Sequence, residues 1–492
     1  MDTNTTIGTP VDFAINAVDP GPVPHWINGG PVLSSDGTSH AVLNPVTGGP
    51  GATVSLGTVV DVDVAVRSAA GAAWQWRKMA SAERASLIGS LARLIRENLE
   101  LLVTLERAET GKPRAVAEAE VRGAAEYFEF YAGLSHLPQG EVINVVPDQH
   151  VYTLREPFGV IGVITPWNIP INQAARAVAP AITAGNVVVV KPAESTSQTT
   201  VALARLATEA GLPRGVFNVV LGRGDVVGDA IVHHPDVRKV AFTGSVAVGQ
   251  EIGRVAADRI LPLTLELGGK SANIVFADAD REFAATEAVR AFTTNAGQVC
   301  SSGTRLLVER SIHDEFVDRV VDIASGIRPG VDMGPMITKG QFDQVQDYFG
   351  VARQEGATVA LGGTMAREPH LEGGFYINPT VYTGVRNSMR IAQEEIFGPV
   401  LVVIPFDGEQ EAVEIANDSE FGLVGGVWTQ NMARAIRVSE ALEAGQIYVN
   451  TWSTASVQTS FGGQKRSGYG REKGIEALNH YTQLKSVTIA LR

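Results

Sequence analysis

The 492-residue sequence predicts an α/β protein in which two doubly wound α/β domains face each other across a cleft, with a small β arm attached. Three observations lead there. The chain is long enough for about three units of roughly 150 residues. Short uninterrupted apolar runs alternate with helical stretches along most of it. Two β-rich segments, 141–155 and 481–491, fall outside that alternation. Apolar runs without a polar face mark parallel strands buried on both sides, and the stretches between them supply the covering helices.

Taken in order, Ser81 is read as a helix N-cap, and Leu87, Leu91, Leu94 and Ile95 recur at helical spacing toward a stop at Gly111. The alternation proper starts with a strand at 160–164 and a helix at 172–184. It continues with strand 187–190, helix 197–210, strand 217–221, helix 225–232, strand 239–242, helix 245–257 and strand 263–267. A second series runs from Asn273 to Asn450 and includes strands at 400–406 and 446–449. The expected partition is a first domain over 1–136 and 156–265, a second over 266–460, and arm strands at 137–155 and 477–492.

Composition narrows the function classes. With 45% hydrophobic and 19% charged residues, 52 Gly and 24 Pro, the chain reads as globular and neither disordered nor fibrous. A formal net charge of -13 argues against nucleic acid or an anionic membrane as partner. The single cysteine allows no intrachain disulfide. Residues 1–16 carry no basic segment followed by an apolar one, and the apolar stretch 177–190 is interrupted by Pro180, Gly185 and Asn186. Neither a secretory leader nor a membrane span is expected, and the expected location is the cytoplasm.

Three residues stand out chemically. A lone cysteine is ordinarily a small buried hydrophobe, but Cys300 sits in Asn295-Ala-Gly-Gln-Val-Cys-Ser-Ser-Gly, where small and polar neighbours suggest a flexible, approachable loop. A thiol there could attack a carbonyl once deprotonated. Glu266 ends the apolar strand of Leu265-Glu-Leu-Gly-Gly-Lys-Ser; its ordinary role is an ion pair with Lys270. Ligands of parallel sheets bind at that strand end, however, and partial burial there raises a carboxyl pKa toward one suited to a base. Asn168, at the tip of Ile164-Thr-Pro-Trp-Asn-Ile-Pro, is either a turn former or an amide aimed at a developing oxyanion.

From about Trp26 onward the sequence resembles the NAD(P)-dependent aldehyde dehydrogenase superfamily. The likeness rests on Pro166-Trp-Asn, Lys191-Pro-Ala-Glu, Phe242-Thr-Gly-Ser, Leu265-Glu-Leu-Gly-Gly-Lys, Gly297-Gln-Val-Cys, Glu394-Glu-Ile-Phe-Gly-Pro and Phe461-Gly-Gly. Any one of these motifs is weak; all seven in the family's order are specific. The resemblance implies an aldehyde dehydrogenase-like fold, with a cofactor domain, a catalytic domain and an oligomerisation arm, hence a homodimer or homotetramer.

It also implies roles. Cys300 matches the nucleophile, Glu266 the general base, and Asn168 with the Cys300 backbone amide the oxyanion hole. The thiolate would add to an aldehyde, hydride would pass to NAD, and water activated by Glu266 would hydrolyse the thioester to a carboxylate. No metal is expected. Cofactor contacts are implied for Ile164, Thr165, Pro166 and Trp167, and for Phe242, Thr243, Gly244, Ser245, Gly249 and Leu267. Gly244 to Gly249 opens a helix whose amides can meet a pyrophosphate. Gly224 and Gly228 match the adenine side, Lys191 and Glu194 the adenosine ribose, and Glu395 and Phe397 the nicotinamide end. The Glu194 carboxylate would repel a 2′-phosphate, so NAD is expected over NADP.

On substrate the sequence says less. Arg176 falls where relatives line the substrate tunnel, which suggests an aromatic or carboxylated semialdehyde; its alternative is an exposed helix face. Glu472 matches a second carboxylate that relays protons to the base, but Ala177 stands where many relatives have the lysine linking the two. The alternative activity is acyl transfer to coenzyme A, against which the presence of Glu266 argues, because acylating members often lack it.

Overall fold

The computed structural model of the chain describes residues 21–137, 139–144, 147–452 and 456–491. The 1–16 segment read for a leader lies outside the described residues, as does the last residue of the expected arm.

The apolar runs of the first series build an eight-stranded sheet in the order Gly30–Val32, His25–Ile27, Phe217–Val219, Val187–Lys191, Val160–Ile164, Val237–Thr243, Leu263–Glu266, Gly468–Tyr469. Its middle is parallel, but both edges are antiparallel, so the sheet is mixed and not wholly parallel as the apolar runs suggested. An antiparallel neighbour needs no helical crossover, so short strands from distant parts of the chain can close the edges. Gly468–Tyr469 returns from beyond the second domain to lie beside Glu266.

The second sheet has seven strands, ordered Thr358–Leu361, Thr380–Thr383, Val400–Phe406, Arg305–Glu309, Ala272–Val275, Val424–Trp428, Gln446–Val449, with only the first antiparallel. Its core separates into two apolar clusters, one on each face, as a doubly covered sheet requires.

Helix boundaries depart from expectation in two places. Ser81 is the first helical residue and not the cap: Ala80 precedes it and offers no side-chain bond. The stretch to Gly111 is two helices, Ser81–Glu97 and Leu99–Thr110, broken at Asn98, whose side-chain amide bonds back to the Leu94 carbonyl and so competes with helix continuation. The predicted helix 225–232 is a π-helical turn, Gly224–Gly228, running into Asp229–His233.

The arm is a three-stranded antiparallel sheet of Val142–Ile143, Gln149–Pro157 and Thr482–Ala490, the last two paired from Gln149↔Ala490 to Pro157↔Thr482. Val142, Leu484 and Ile489 are exposed on it. Among the described residues no helix is long and apolar enough to cross a membrane.

Candidate active site

Cys300 follows a tight loop that leaves the helix Arg281–Thr293. Asn295, Ala296 and Gly297 are all left-handed, with φ of 51°, 54° and 71°. For a non-glycine residue that conformation costs about 1–2 kcal/mol, so something must hold it. Gln298 does so from a fully buried position: its Nε2 donates to the Asn295 carbonyl at 2.8 Å and the Pro335 carbonyl at 3.2 Å, while its Oε1 accepts from the Ile337 amide at 2.9 Å. Asn295 Nδ2 donates to the Asn168 carbonyl at 3.0 Å. The loop is therefore braced, not flexible as its small residues suggested.

Asn168 Nδ2 donates to the Gln298 carbonyl at 2.9 Å, which ties the Pro166-Trp-Asn turn to the cysteine loop and leaves one amide hydrogen free. Glu266, 2% exposed, ends its strand in the same cleft with neither carboxylate oxygen hydrogen-bonded. Burial pushes its pKa well above the ordinary value and the nearby Glu472 adds to this, while Arg176, Arg471 and Lys473 oppose it. The ordinary ion pair with Lys270 does not form: Lys270 is buried without a hydrogen-bond partner, and burial lowers its pKa to about 7. The Cys300 thiol is pushed up to about 11 by burial, against the pull of Arg176. The thiol thus rests protonated, and to act as a nucleophile it would need a base.

Arg176 is buried, not on an exposed helix face, and forms an ion pair with Glu472. Its guanidinium lies 5.3 Å from the centre of the Phe461 ring. The structure thus sets Arg176, the neighbour of Ala177, beside the second carboxylate. The residue of this helix that lines the cleft is Gln173, one turn earlier, buried with an unpartnered Oε1.

The cleft is a cavity of about 210 Å³ between the two domains. Pro166, Trp167 and Asn168 form one wall, Thr243 to Ser245 and Glu266 to Gly268 a second, and Cys300, Glu395 and Phe397 a third. Its features fit a dinucleotide. The helix Val246–Arg259 starts at the cavity with Ser245 as N-cap, so its first-turn amides face the site. Gly249 lies against Leu267, where a Cβ would come within 2.7 Å of Leu267 Cδ2. Gly228 sits over Ile164 and Lys191, and the Lys191 ammonium pairs with Glu194 at 3.2 Å. Thr165 is buried beside them with its hydroxyl unpartnered, Phe242 backs Gly244, and Gly224 faces open space.

On the opposite side a Glu395 oxygen accepts from the Gly269 amide at 3.0 Å, and burial raises its pKa to about 7. Phe397 is left-handed and meets Trp167 edge-on at 5.5 Å, while Gln341 Nε2 donates to the Ile396 and Phe397 carbonyls. Gln173, Gln298 and Gln341 were not singled out from the sequence. Gln298 could have been, as the polar residue inside the cysteine motif; the others show no local signal.

A helix N-terminus, an interdomain cleft, a cysteine and an unpaired buried carboxyl are together the parts that an oxidoreductase with a nucleophilic thiol requires. The aldehyde dehydrogenase family profile matches residues 32–487. A betaine aldehyde dehydrogenase of Bacillus subtilis (strain 168) is 41% identical over 457 residues, 91% of this chain and 93% of that protein. Among solved structures, a betaine aldehyde dehydrogenase of Staphylococcus aureus in complex with NAD+ superposes with a TM-score of 0.94 at 37% identity, covering 96% of this chain and 95% of that one. A P. syringae indole-3-acetaldehyde dehydrogenase in complex with NAD+ and IAA gives 0.93 at 38%, covering 95% and 97%. The chain belongs to the aldehyde dehydrogenase family. It is an NAD-dependent enzyme that oxidises aldehydes by means of a catalytic cysteine.

Proposed function

We propose that Cys300 is that cysteine, that Glu266 is the general base, and that Asn168 with the Cys300 backbone amide binds the oxyanion. The observation that carries this is the convergence of Cys300, Glu266 and Asn168 on one interdomain cavity, with a braced loop behind the thiol.

The Cys300 thiol gives up its proton to water in the cleft, and the thiolate adds to the aldehyde carbon. The oxygen that gains the negative charge is met by the free amide hydrogen of Asn168, held in place by the bond to the Gln298 carbonyl; a preorganised donor stabilises such charge better than mobile water. Gly249, Gly228 and Glu395 would hold NAD+, which would accept the hydride released from the adduct carbon. Collapse of the tetrahedral adduct leaves a thioester on Cys300. Glu266, with its raised proton affinity, takes a proton from the water that attacks the thioester, and the acid leaves with the thiol restored. The Arg176–Glu472 pair lies behind Glu266, and its charges act on the base without lining the cavity.

Three finer readings accompany this. NAD is preferred to NADP because Glu194, beside Lys191, would meet a 2′-phosphate with like charge. The three-stranded arm, with exposed apolar side chains and free edges, pairs with another copy, making a homodimer or homotetramer. The Arg176 guanidinium, neutralised by Glu472, is a poor anchor for a substrate carboxylate.

The test is an NADH-production assay on Cys300→Ala and Glu266→Gln, with and without coenzyme A. Cys300→Ala should lose turnover and keep NAD binding. Glu266→Gln should give one burst of NADH and then stall as thioester. Turnover above a few per cent in the first variant would refute the assignment of Cys300; no burst in the second would instead make Glu266 the activator of the thiol; acyl transfer to coenzyme A at wild-type rate would favour the acylating alternative.

A further inference from the structure

Three cations act on the buried carboxyl of Glu266, and they differ in what they already hold. Arg176 is paired with Glu472. Arg471 donates to the Gly463 carbonyl at 3.0 Å and the Gly470 carbonyl at 2.7 Å. The Lys473 ammonium makes no hydrogen bond or ion pair among the described residues, although the residue is half-buried. Its ammonium stands 5.1 Å from the centre of the Phe461 ring, on which Arg176 also rests, and its charge acts on Cys300, Glu472 and Glu266.

Its backbone is also unusual. Lys473 is left-handed, with φ of 60°. The bridge between Phe461 and Glu472, bonded both ways at 2.7 Å, fixes it on one side. On the other, the Gly474 amide donates to the Val457 carbonyl at 2.9 Å. A strained, braced residue whose unpaired ammonium lies over the Phe461 ring, close enough for its charge to act on Cys300 and Glu266, is the pattern of a ligand contact. The acids nearby do not satisfy it: Glu472 belongs to Arg176, Glu266 accepts no hydrogen bond, and the Cys300 thiol rests protonated.

We propose that Lys473 anchors a carboxylate carried by the substrate, so that the preferred aldehydes of this chain bear an acid group at the end away from the reacting carbon. This rests on the assignment of Cys300 above and names its substrate class. The incoming carboxylate gives the ammonium the charged partner it lacks, in a place where water cannot replace it fully. A cationic aldehyde such as betaine aldehyde, a substrate of the relatives, would meet Lys473 with like charge.

The experiment compares kcat/KM for 4-oxobutanoate, butanal and betaine aldehyde in the wild type, Lys473→Met, Lys473→Asn and Lys473→Arg. Asn tolerates the left-handed backbone and so removes the charge without added strain. The wild type should prefer 4-oxobutanoate to butanal by about tenfold or more, the scale of one charge-assisted hydrogen bond, with betaine aldehyde slowest. Lys473→Met and Lys473→Asn should bring the acid-to-neutral ratio toward one, mainly through KM, and Lys473→Arg should restore most of it.

A second readout needs neither cofactor nor turnover: succinate, but not succinamide, should slow alkylation of Cys300 by iodoacetamide in the wild type and not in Lys473→Asn. An unchanged ratio in both neutral variants, or equal loss for acid and neutral aldehydes, overturns the proposal. So does an alkylation pH profile that shifts while the ratio stays, since Lys473 would then serve the thiolate alone. If no aldehyde is oxidised but succinate still protects Cys300, the anchor stands and the assignment of Cys300 chemistry falls.

Discussion

Gly297→Ala should disable the enzyme while leaving it folded, because the site tolerates no added methyl group. A Cβ there would stand 2.1 Å from the Gly398 carbonyl oxygen, against a practical minimum of 3.0 Å, so one backbone must move by at least 0.9 Å. Neither is free to do so. Gly297 follows two other left-handed residues braced by Gln298, and Gly398 follows the left-handed Phe397 held by Gln341. Overpacking of this kind costs about 1–3 kcal/mol, and the left-handed φ adds about 1–2 kcal/mol for a non-glycine residue. Cys300 lies three residues on, and a displacement of about 1 Å at a reacting atom costs on the order of 100-fold in rate. Stopped-flow measurement of the first-turnover NADH burst reads the effect directly, with thermal unfolding to show that the protein remains folded. A folded variant whose burst rate stays within about threefold of wild type would refute the claim that the loop is rigid and positions the thiol.

Other outcomes follow from the same geometry. Glu194→Ser should raise kcat/KM with NADP relative to NAD; equal use of both cofactors by the wild type, or no gain in the variant, removes Glu194 as the determinant. Lys270→Met should stabilise the protein below pH 7, where burial of the charged ammonium is most unfavourable. The unfolded state holds that proton up to the ordinary value of 10.5 and the folded state only to about 7, so wild-type stability rises with pH across that window and the advantage of the variant fades. Thermal unfolding at pH 6 and pH 10 checks the sign, and a larger advantage at pH 10 would reverse the argument. Light scattering at micromolar concentration should show a dimer or tetramer; a monomer would leave the arm without its proposed partner.

The parts of this molecule that could be read from sequence are those whose signal is local. The runs Val160–Ile164, Val187–Lys191 and Val400–Phe406 are strands because their apolar side chains leave neither face for water, and the helix before Gly111 ends because Gly111 itself takes the left-handed position. The antiparallel edges were not readable, since Gly468–Tyr469 is two residues long and gains its place only from pairing with Leu265 and Glu266 two hundred residues earlier. The site divides along the same line. Cys300, Glu266 and Asn168 are singled out by the family motifs they belong to, but what surrounds them is set by contacts far apart in the chain. Arg176 meets Glu472 across nearly three hundred residues, and that single pairing changes the meaning of both: a guanidinium expected to face a substrate is spent on a carboxylate expected to relay protons. With Arg176 so engaged and Arg471 bound to carbonyls, the cation left over is Lys473, whose place in Gly470-Arg-Glu-Lys carries no mark of function until the left-handed backbone and the Phe461 ring are seen. On the anchoring role proposed for Lys473, substrate preference turns on a subtraction of charges that only the folded molecule performs, and substituting Glu472 by Gln should free Arg176 to compete for an acidic aldehyde, read as a changed acid-to-neutral ratio of kcat/KM.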